Sequence, residues 1–304
     1  MIGASGFIGH ALLKRLFQRG NHVIALAQRP RPHLLENPNI TWIYGDLRDT
    51  SLLGRLFGSR PNAIIYAAGS YTPADASRDP AADLEINLLP LVRCVEQAIS
   101  VGVRRFVYLS SGGTVYGPTS LPAQEDMPTA PVGAYGLARA AAEKYIALIT
   151  RNTSTIPSVL RLSNVYGPEQ LPKPGFGFIP TAILRALRDE PIPLFNGGRD
   201  IRDYVYLDDV IEAILLALDD DHAMTLNIGS GVGASGLDVI KTLESVLGES
   251  VKTHAEASRP QDVTSIILNI ERAQSLLGWQ PRQTLHSGLT STVTWLSKLM
   301  RQSG

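Results

Sequence analysis

The sequence predicts an α/β fold, a doubly wound parallel sheet followed by a smaller C-terminal domain. Short apolar runs alternate along the chain with stretches of helical periodicity, which is typical of β-α-β units. The runs are apolar throughout rather than at every second residue, as expected of parallel strands that are buried on both faces. Strands are therefore predicted at residues 22–27, 40–44, 63–67, 105–109, 158–162 and 225–228.

The helical periodicity places the helices between these strands, and the composition of the chain changes after about residue 171. A stretch rich in proline and glycine, residues 171–178, predicts a loop. We place a first domain at residues 1–168, to which a strand near 225–230 returns, and a second domain at residues 169–304. Helices are predicted at residues 7–19, 50–57, 83–101, 134–151 and 179–188, with another that follows residues 203–210 and ends at 218.

Composition narrows the class of protein. Lysine plus arginine and aspartate plus glutamate each number 28 in 304 residues, so no net charge attracts nucleic acid or an anionic membrane surface. The one cysteine, Cys94, excludes an internal disulfide and is typical of a reducing compartment. No apolar run is long enough to span a membrane. We expect a soluble, cytoplasmic protein without nucleic-acid or membrane partners.

A glycine loop at residues 3–9 opens the first predicted helix. Its glycines allow a tight turn, a close approach of backbone to a pyrophosphate, and close packing of helix on strand. The free N–H groups and positive dipole end of the helix then favour the phosphates. Only two residues precede the loop, so either the chain begins upstream or the first strand is stunted. The cofactor-binding residues predicted in and after the first strands are Gly3, Gly6, Phe7, Ile8, Gly9, Asp46, Leu47, Ala67, Ala68 and Gly69.

The end of the strand at residues 22–27 bears on the choice between NAD and NADP. An acidic residue there would bind the ribose 2′-hydroxyl and repel a 2′-phosphate, but the position holds Ala27. Arg29 follows and could pair with that phosphate, or it could be a solvated loop residue. The sequence thus predicts NADP or NAD as cofactor, with NADP favoured.

A tyrosine and an arginine at helical spacing form the candidate catalytic pair. Tyr135 and Arg139 are four residues apart, so they share one face of the predicted helix. A fixed cation beside a phenol favours the phenolate, which suits proton transfer. The segment from Ala134 to Glu143 resembles the active-site helix of the extended short-chain dehydrogenase/reductase family, whose Rossmann-type proteins include nucleotide-sugar epimerases, dehydratases and reductases. That family has lysine where this chain has Arg139.

The resemblance implies roles for both residues and for the segment at 110–117. Tyr135 would be the acid/base, while Arg139 would hydrogen-bond the nicotinamide ribose and favour the phenolate. The family's usual active-site hydroxyl falls on Gly112, which leaves Ser111 and Thr114 to hydrogen-bond a sugar 4-oxygen or Tyr135.

Further resemblances imply which residues bind the substrate. Residues 160–168 resemble the family's stretch between cofactor and sugar nucleotide, which implies Ser163 on the cofactor and Asn164 on the diphosphate side. Residues 196–209 and 258–263 resemble its diphosphate-binding segments, which places Arg202 and Arg259 on the substrate. Guanidinium groups suit this role because they bind phosphate oxygens bidentately. The six histidines show no metal-ligand spacing, so no metal is predicted.

The overall likeness is greatest to the family's sugar 4-epimerases, which oxidise C4 of a nucleoside-diphosphate sugar and reduce its other face. An NADPH-dependent reductase of a 4-keto sugar is the alternative if Arg29 binds a 2′-phosphate. A dehydratase is disfavoured, because Gly113 and Thr114 stand where that branch has an Asp-Glu pair. A nucleotide-binding sensor or inactive partner subunit with little turnover is the alternative of another class. The helices at 83–101 and 134–151 match the pair that dimerises in this family, so a homodimer is predicted.

Overall fold

The computed structural model describes residues 1–30, 37–172, 177–258 and 263–303. The chain divides into two compact units. The first unit comprises residues 1–111, 133–161 and 211–226, and the second comprises residues 112–132, 162–210 and 227–304. The predicted boundary at residue 168 stays a prediction, because it assigns cofactor and substrate roles that this division does not test.

Strands and helices alternate as the sequence predicts, and most ends lie within two residues of the predicted ones. A π-helix at Leu84–Leu88 and a 3-10 helix at Asn196–Gly198 add to the regular elements. The strands are β1 (Val23–Ala27), β2 (Ile40–Tyr44), β3 (Ala63–Tyr66), β4 (Arg105–Ser111), β5 (Ile156–Leu162), β6 (Asn164–Tyr166), β7 (Ile192–Phe195), β8 (Ile201–Tyr206), β9 (Met224–Ile228), β10 (Gly233–Ser235), β11 (Thr253–Glu256) and β12 (Ser265–Ile266). The helices are α1 (Phe7–Gln18), α2 (Thr50–Phe57), α3 (Pro73–Arg78), α4 (Pro80–Asp83), α5 (Leu89–Ser100), α6 (Gly112–Val115), α7 (Ala134–Ile149), α8 (Phe178–Leu187), α9 (Leu207–Asp219), α10 (Gly236–Leu247), α11 (Glu271–Leu277) and α12 (Leu285–Ser303).

A single residue near the N-terminus connects the two groups of strands in the parallel sheet of the first unit. β1 pairs with β2, and β3, β4, β5 and β9 lie side by side in that order. Ile2 forms parallel bridges to Leu26 in β1 and to Tyr66 in β3, and so joins the two groups of strands. The predicted doubly wound parallel sheet is confirmed, and Ile2 occupies the place of its first strand.

The hydrophobic core of the first unit lies between the strands β3 and β4 and the helices that pack on them. Its fully buried aromatic side chains are Phe57, Tyr66, Phe106 and Tyr108. Cys94 is part of this core, and burial raises the pKa of its thiol to about 12. As expected from the sequence, this cysteine packs as a small apolar residue.

The helix predicted at residues 83–101 is interrupted by the π-helix. Leu89 donates its N–H to the carbonyl of Leu84, five residues back rather than four. Pro90 follows directly and is the second residue of α5. A proline inside an α-helix cannot donate to the carbonyl four residues back and clashes with it, so a wider turn before Pro90 relieves that clash. The apolar spacing persists through this turn, so the sequence pattern predicts one continuous helix where the structure has two segments.

The second unit is built on small sheets and three packed helices. β8 lies between β10 and β12 and also pairs with β6, while β7 pairs with β11. Its core gathers residues of α8, α10 and α12 with Tyr166 and Tyr206. In the described ranges of both units, no helix combines the length and apolar character needed to cross a bilayer.

Candidate functional site

The glycine loop has the backbone geometry that the sequence predicts for a phosphate cradle. Gly3 has a φ of +84°, a conformation that favours glycine. A Cβ on Gly9 would lie 2.1 Å from the carbonyl oxygen of Gly3, so α1 packs against the loop too closely for any side chain there. Gly6 is exposed, and none of the described side chains caps the N-terminus of α1. The first N–H groups of α1, from Phe7 and Ile8 onward, therefore suit an anionic ligand.

The residues after β3 border this loop. A Cβ on Gly3 would stand 2.7 Å from the backbone of Ala67 and Ala68, so these segments are in contact. Ala67 and Ala68 thus lie beside the glycine loop, and Gly69 follows them in the chain.

The residues after β2 form a local ion pair that the sequence analysis missed. The guanidinium of Arg48 donates to both carboxylate oxygens of Asp46, at 3.0 and 2.7 Å. The backbone N–H of Arg48 donates to the same carboxylate at 2.9 Å. The Arg48 hydrogen bonds hold the pKa of Asp46 below its ordinary value. Asp46 is therefore a fixed carboxylate, and Leu47 follows it in the loop after β2.

The end of β1 lacks a carboxylate, as expected. Ala27 is 2% exposed and is the last residue of the strand. Gln28 and Arg29 follow it on the surface. The role of Arg29 toward a 2′-phosphate stays a prediction.

Tyr135 and Arg139 are adjacent on α7. The helix begins at Ala134 after an extended Gly133, which places Tyr135 in its first turn. The guanidinium carbon of Arg139 lies 4.9 Å from the centroid of the Tyr135 ring, over its face. Arg139 Nη1 donates a hydrogen bond of 3.1 Å to the hydroxyl of Tyr108 on β4. Arg139 is 6% exposed, so the pair joins a half-exposed phenol to a buried cation.

The surroundings fix the charge state of Arg139. Burial alone would lower its pKa, but the neighbouring phenols, Tyr108 first, raise the pKa above its ordinary value. Burial raises the pKa of Tyr108, and the Arg139 cation partly offsets that rise. Arg139 therefore stays a cation and Tyr108 stays a neutral hydrogen-bond acceptor at neutral pH.

A second buried polar cluster lies one turn further along α7. Glu143 accepts hydrogen bonds from Arg161 on β5 at 2.7 and 3.0 Å, and from the hydroxyl of Ser110 on β4. All three side chains are buried. Because Glu143 lies four residues after Arg139 on the helix, its place on the same helix face could be predicted from the sequence. Its partners on β4 and β5 could not, because they are distant in sequence.

Ser111 and Thr114 belong to different units. Ser111 ends β4 in the first unit, and Thr114 lies in the short helix α6 of the second. Both are half-buried and make further polar contacts. A Cβ on Gly113 would stand 3.7 Å from the Asn164 amide nitrogen, so within the second unit α6 and β6 are neighbours.

Three of the predicted ligand-binding residues of the second unit differ in how their polar atoms are engaged. Asn164 donates to the backbone carbonyl of Asp203 at 3.1 Å. Arg202 donates to the carbonyl of Ile201 at 3.1 Å and lies 3.7 Å from the carboxylate of Asp200. Ser163 is buried, and its hydroxyl has no hydrogen-bond partner in the described part of the chain. Arg259 lies outside the described residues.

Two buried polar residues that sequence reasoning did not identify organise the second unit. The carboxylate of Asp203 accepts N–H groups of Ser230, Gly231 and Leu268 at 2.7 to 3.2 Å. Asn227 accepts the hydroxyl of Tyr116 at 2.7 Å. These bonds join segments far apart in sequence, so no local pattern could have revealed them. Among the described residues, no cluster of side chains could hold a metal ion.

Comparison with known proteins identifies the family. Residues 1–229 match the NAD dependent epimerase/dehydratase family. A UDP-glucose 4-epimerase of Mycolicibacterium smegmatis is 32% identical over 299 residues, with 96% of each chain covered. A dTDP-4-dehydro-6-deoxyglucose reductase of Escherichia coli is 28% identical, with 96% of this chain and 95% of that protein covered. The crystal structure of a UDP-glucose 4-epimerase of Thermotoga maritima with UDP-glucose has a TM-score of 0.94 at 32% identity and 98% coverage of both chains. The predicted family is confirmed: this chain belongs to the NAD-dependent epimerase/dehydratase family.

Proposed function

We propose that the protein is a nucleotide-sugar 4-epimerase in which Tyr135 is the acid/base. The observation that carries the proposal is the buried Arg139 cation over the Tyr135 ring, at 4.9 Å from its centroid. A phenol can pass a proton to and from a sugar hydroxyl, and the cation over its ring places a fixed positive charge beside it. Relatives that this chain resembles over almost its whole length are UDP-glucose 4-epimerases, which supports a UDP-sugar as substrate.

The first unit has the features that a nicotinamide dinucleotide needs. The glycine loop and the open N-terminus of α1 would hold the pyrophosphate, with Asp46, Ala68 and Gly69 around the remaining cofactor. In the second unit, the buried hydroxyl of Ser163 has no hydrogen-bond partner among the described residues, so it stays a candidate cofactor ligand, because a buried hydroxyl is normally hydrogen-bonded. When bound, the nicotinamide supplies reversible hydride transfer at sugar C4.

The protein's share of the reaction is proton transfer and orientation. Tyr135 would take the proton of the sugar 4-hydroxyl during oxidation and return it during reduction. Arg139 would stabilise the phenolate through its position over the ring. Ser111 and Thr114 would hydrogen-bond the 4-oxygen, in place of the hydroxyl that Gly112 cannot supply. Asn164, Arg202 and Arg259 would bind the diphosphate.

A 4-keto sugar reductase is the second candidate, and one observation favours it. Ala27 at the end of β1 removes the carboxylate that would repel a 2′-phosphate, and the exposed Arg29 follows. The relative from Escherichia coli is a reductase of a nucleotide-linked 4-keto sugar. NADP in place of NAD would fit this reaction.

The role of Tyr135 is tested by removing its hydroxyl. Tyr135→Phe should abolish turnover of UDP-glucose while nucleotide binding stays nearly intact, because the ring remains and only the proton-transfer group is lost. Tyr145→Phe makes the same change elsewhere on α7 and keeps the apolar ring, which also lines the groove of the dimer contact proposed below, so it is the matched control and should leave kcat unchanged. Full activity of Tyr135→Phe would contradict the role of Tyr135 as the acid/base, and the absence of turnover in the unaltered protein would favour the low-turnover binding protein.

The same assay examines the arginine. Arg139→Lys should keep or raise activity, since the positive charge is retained. Its pH profile should change at the alkaline end, where lysine can lose its proton and arginine cannot.

Cofactor choice is tested by calorimetry at low salt. NADP(H) should bind more tightly than NAD(H), and Arg29→Ala should weaken NADP(H) binding severalfold while NAD(H) binding is unaffected. The effect should shrink as salt is added, because an exposed charge is screened. Arg55→Ala on α2, another exposed arginine, is the control. NAD(H) binding as tight as NADP(H) in the unaltered protein would overturn this assignment and strengthen the epimerase.

We also propose that the protein is a homodimer formed through α5 and α7. Exposed apolar side chains of these helices and of the π-helix line a groove, among them Leu84, Leu89 and Tyr145, with Leu148 further along α7. Light scattering at micromolar concentration should give a dimer mass, and Leu148→Glu should shift it toward monomer. Leu276→Glu, at a similarly exposed position on α11, should not. A monomer mass for the unaltered protein would contradict this arrangement.

A further inference from the structure

The Arg139 guanidinium is buried without a carboxylate to balance it. None of the described aspartates or glutamates lies within ion-pair distance of it, in contrast to Arg161, which pairs with Glu143 on the same helix. Its partners are aromatic: the face of the Tyr135 ring and the hydroxyl of Tyr108. A buried charge held only by neutral groups depends strongly on each of them.

Tyr108 supplies the only hydrogen bond that Arg139 donates within the described residues. Tyr108 is 1% exposed and lies in the middle of β4, so its hydroxyl has a fixed position. At the other terminal nitrogen, a Cβ on Gly69 would stand 2.5 Å from Arg139 Nη2, so the chain leaves space for the guanidinium only because Gly69 has no side chain. Tyr108 and Gly69 thus limit where the guanidinium can lie, and its carbon is 4.9 Å from the centroid of the Tyr135 ring.

The backbone of α7 is anchored independently of this bond. Glu143, one turn beyond Arg139, accepts hydrogen bonds from Ser110 on β4 and Arg161 on β5. These bonds link the helix to the sheet whether or not Tyr108 has its hydroxyl. The Tyr108 bond therefore sets the position of the Arg139 side chain rather than the position of the helix.

We propose that Tyr108 is a positioning residue that holds the Arg139 guanidinium over the Tyr135 ring. This inference rests on the proposed function, in which Tyr135 moves the proton. Tyr108 compensates for the replacement of an ammonium by a larger, planar guanidinium, which has more ways to lie beside a phenol. The other ionisable groups near the cation are Tyr66 on β3 and, acting on Tyr108, Glu143. Both are unchanged by a substitution at Tyr108.

The test is Tyr108→Phe, which removes one buried oxygen and keeps the ring. We expect kcat to fall by about tenfold, because the cation is no longer fixed at the ring. KM for UDP-glucose should stay the same, because a positioning residue of the proton-transfer group acts on the chemical step and not on substrate binding. Tyr66→Phe is the matched control: its ring lies 6.2 Å from that of Tyr108, in the same core, but Arg139 donates to Tyr108. It should leave both kcat and KM unchanged.

A second variant acts on the other terminal nitrogen of the guanidinium. Gly69→Ala places a methyl group against Arg139 Nη2 and should displace it with Tyr108 intact. Measured at saturating cofactor, it should reproduce the fall in kcat at unchanged KM for UDP-glucose, and it decides the matter if Tyr108→Phe does not fold. Unaltered kcat in a folded Tyr108→Phe, or in Gly69→Ala, would overturn the inference.

Tyr135→Phe, run alongside, separates the two proposals. If it is inactive while Tyr108→Phe behaves like the unaltered protein, only the positioning role fails. If Tyr135→Phe is active, the proposed function itself fails.

Discussion

The contact between the Arg139 cation and the Tyr135 ring is the interaction on which the account of this protein depends. It places a permanent positive charge at a phenol in the first turn of α7. A lysine at this position would offer a compact ammonium, whereas the guanidinium is planar and needs its orientation fixed. The buried hydroxyl of Tyr108 fixes it from β4, and the absence of a side chain on Gly69 leaves it space.

The rest of the first unit holds these groups in place. The sheet order brings β3 next to β4 and β4 next to β5, so Gly69, Tyr108 and Arg161 lie on neighbouring strands or directly after them. α7 is linked to that sheet by two buried polar contacts one turn apart, through Arg139 and through Glu143. Breaking the second contact would leave a charge buried without its partner, which costs more than the pair itself contributes.

The sequence predicts the alternating strands and helices and the glycine loop well, because the residue patterns that indicate them are local. β2 and α2 lie at the predicted residues, and Gly3 and Gly9 show the turn and the close packing expected of them. Tyr135 and Arg139 could be paired from their spacing along one helix. The partner of Arg139 could not be found in this way, because Tyr108 lies on a strand 31 residues earlier. The role of Asp203 could not be predicted either, because the backbone N–H groups that donate to its carboxylate belong to residues 27 to 65 positions later in the chain.

The central claim, reversible oxidation at C4 of a nucleotide sugar, is tested most directly by following the hydrogen on that carbon. The protein is incubated with NAD(P) and UDP-glucose in D2O, and the sugar nucleotide is examined by NMR. The account predicts the 4-epimer with its original hydrogen at C4, because that hydrogen leaves and returns as hydride without exchange with solvent. Deuterium at C4 of the product, or the absence of a 4-epimer at equilibrium, would contradict it.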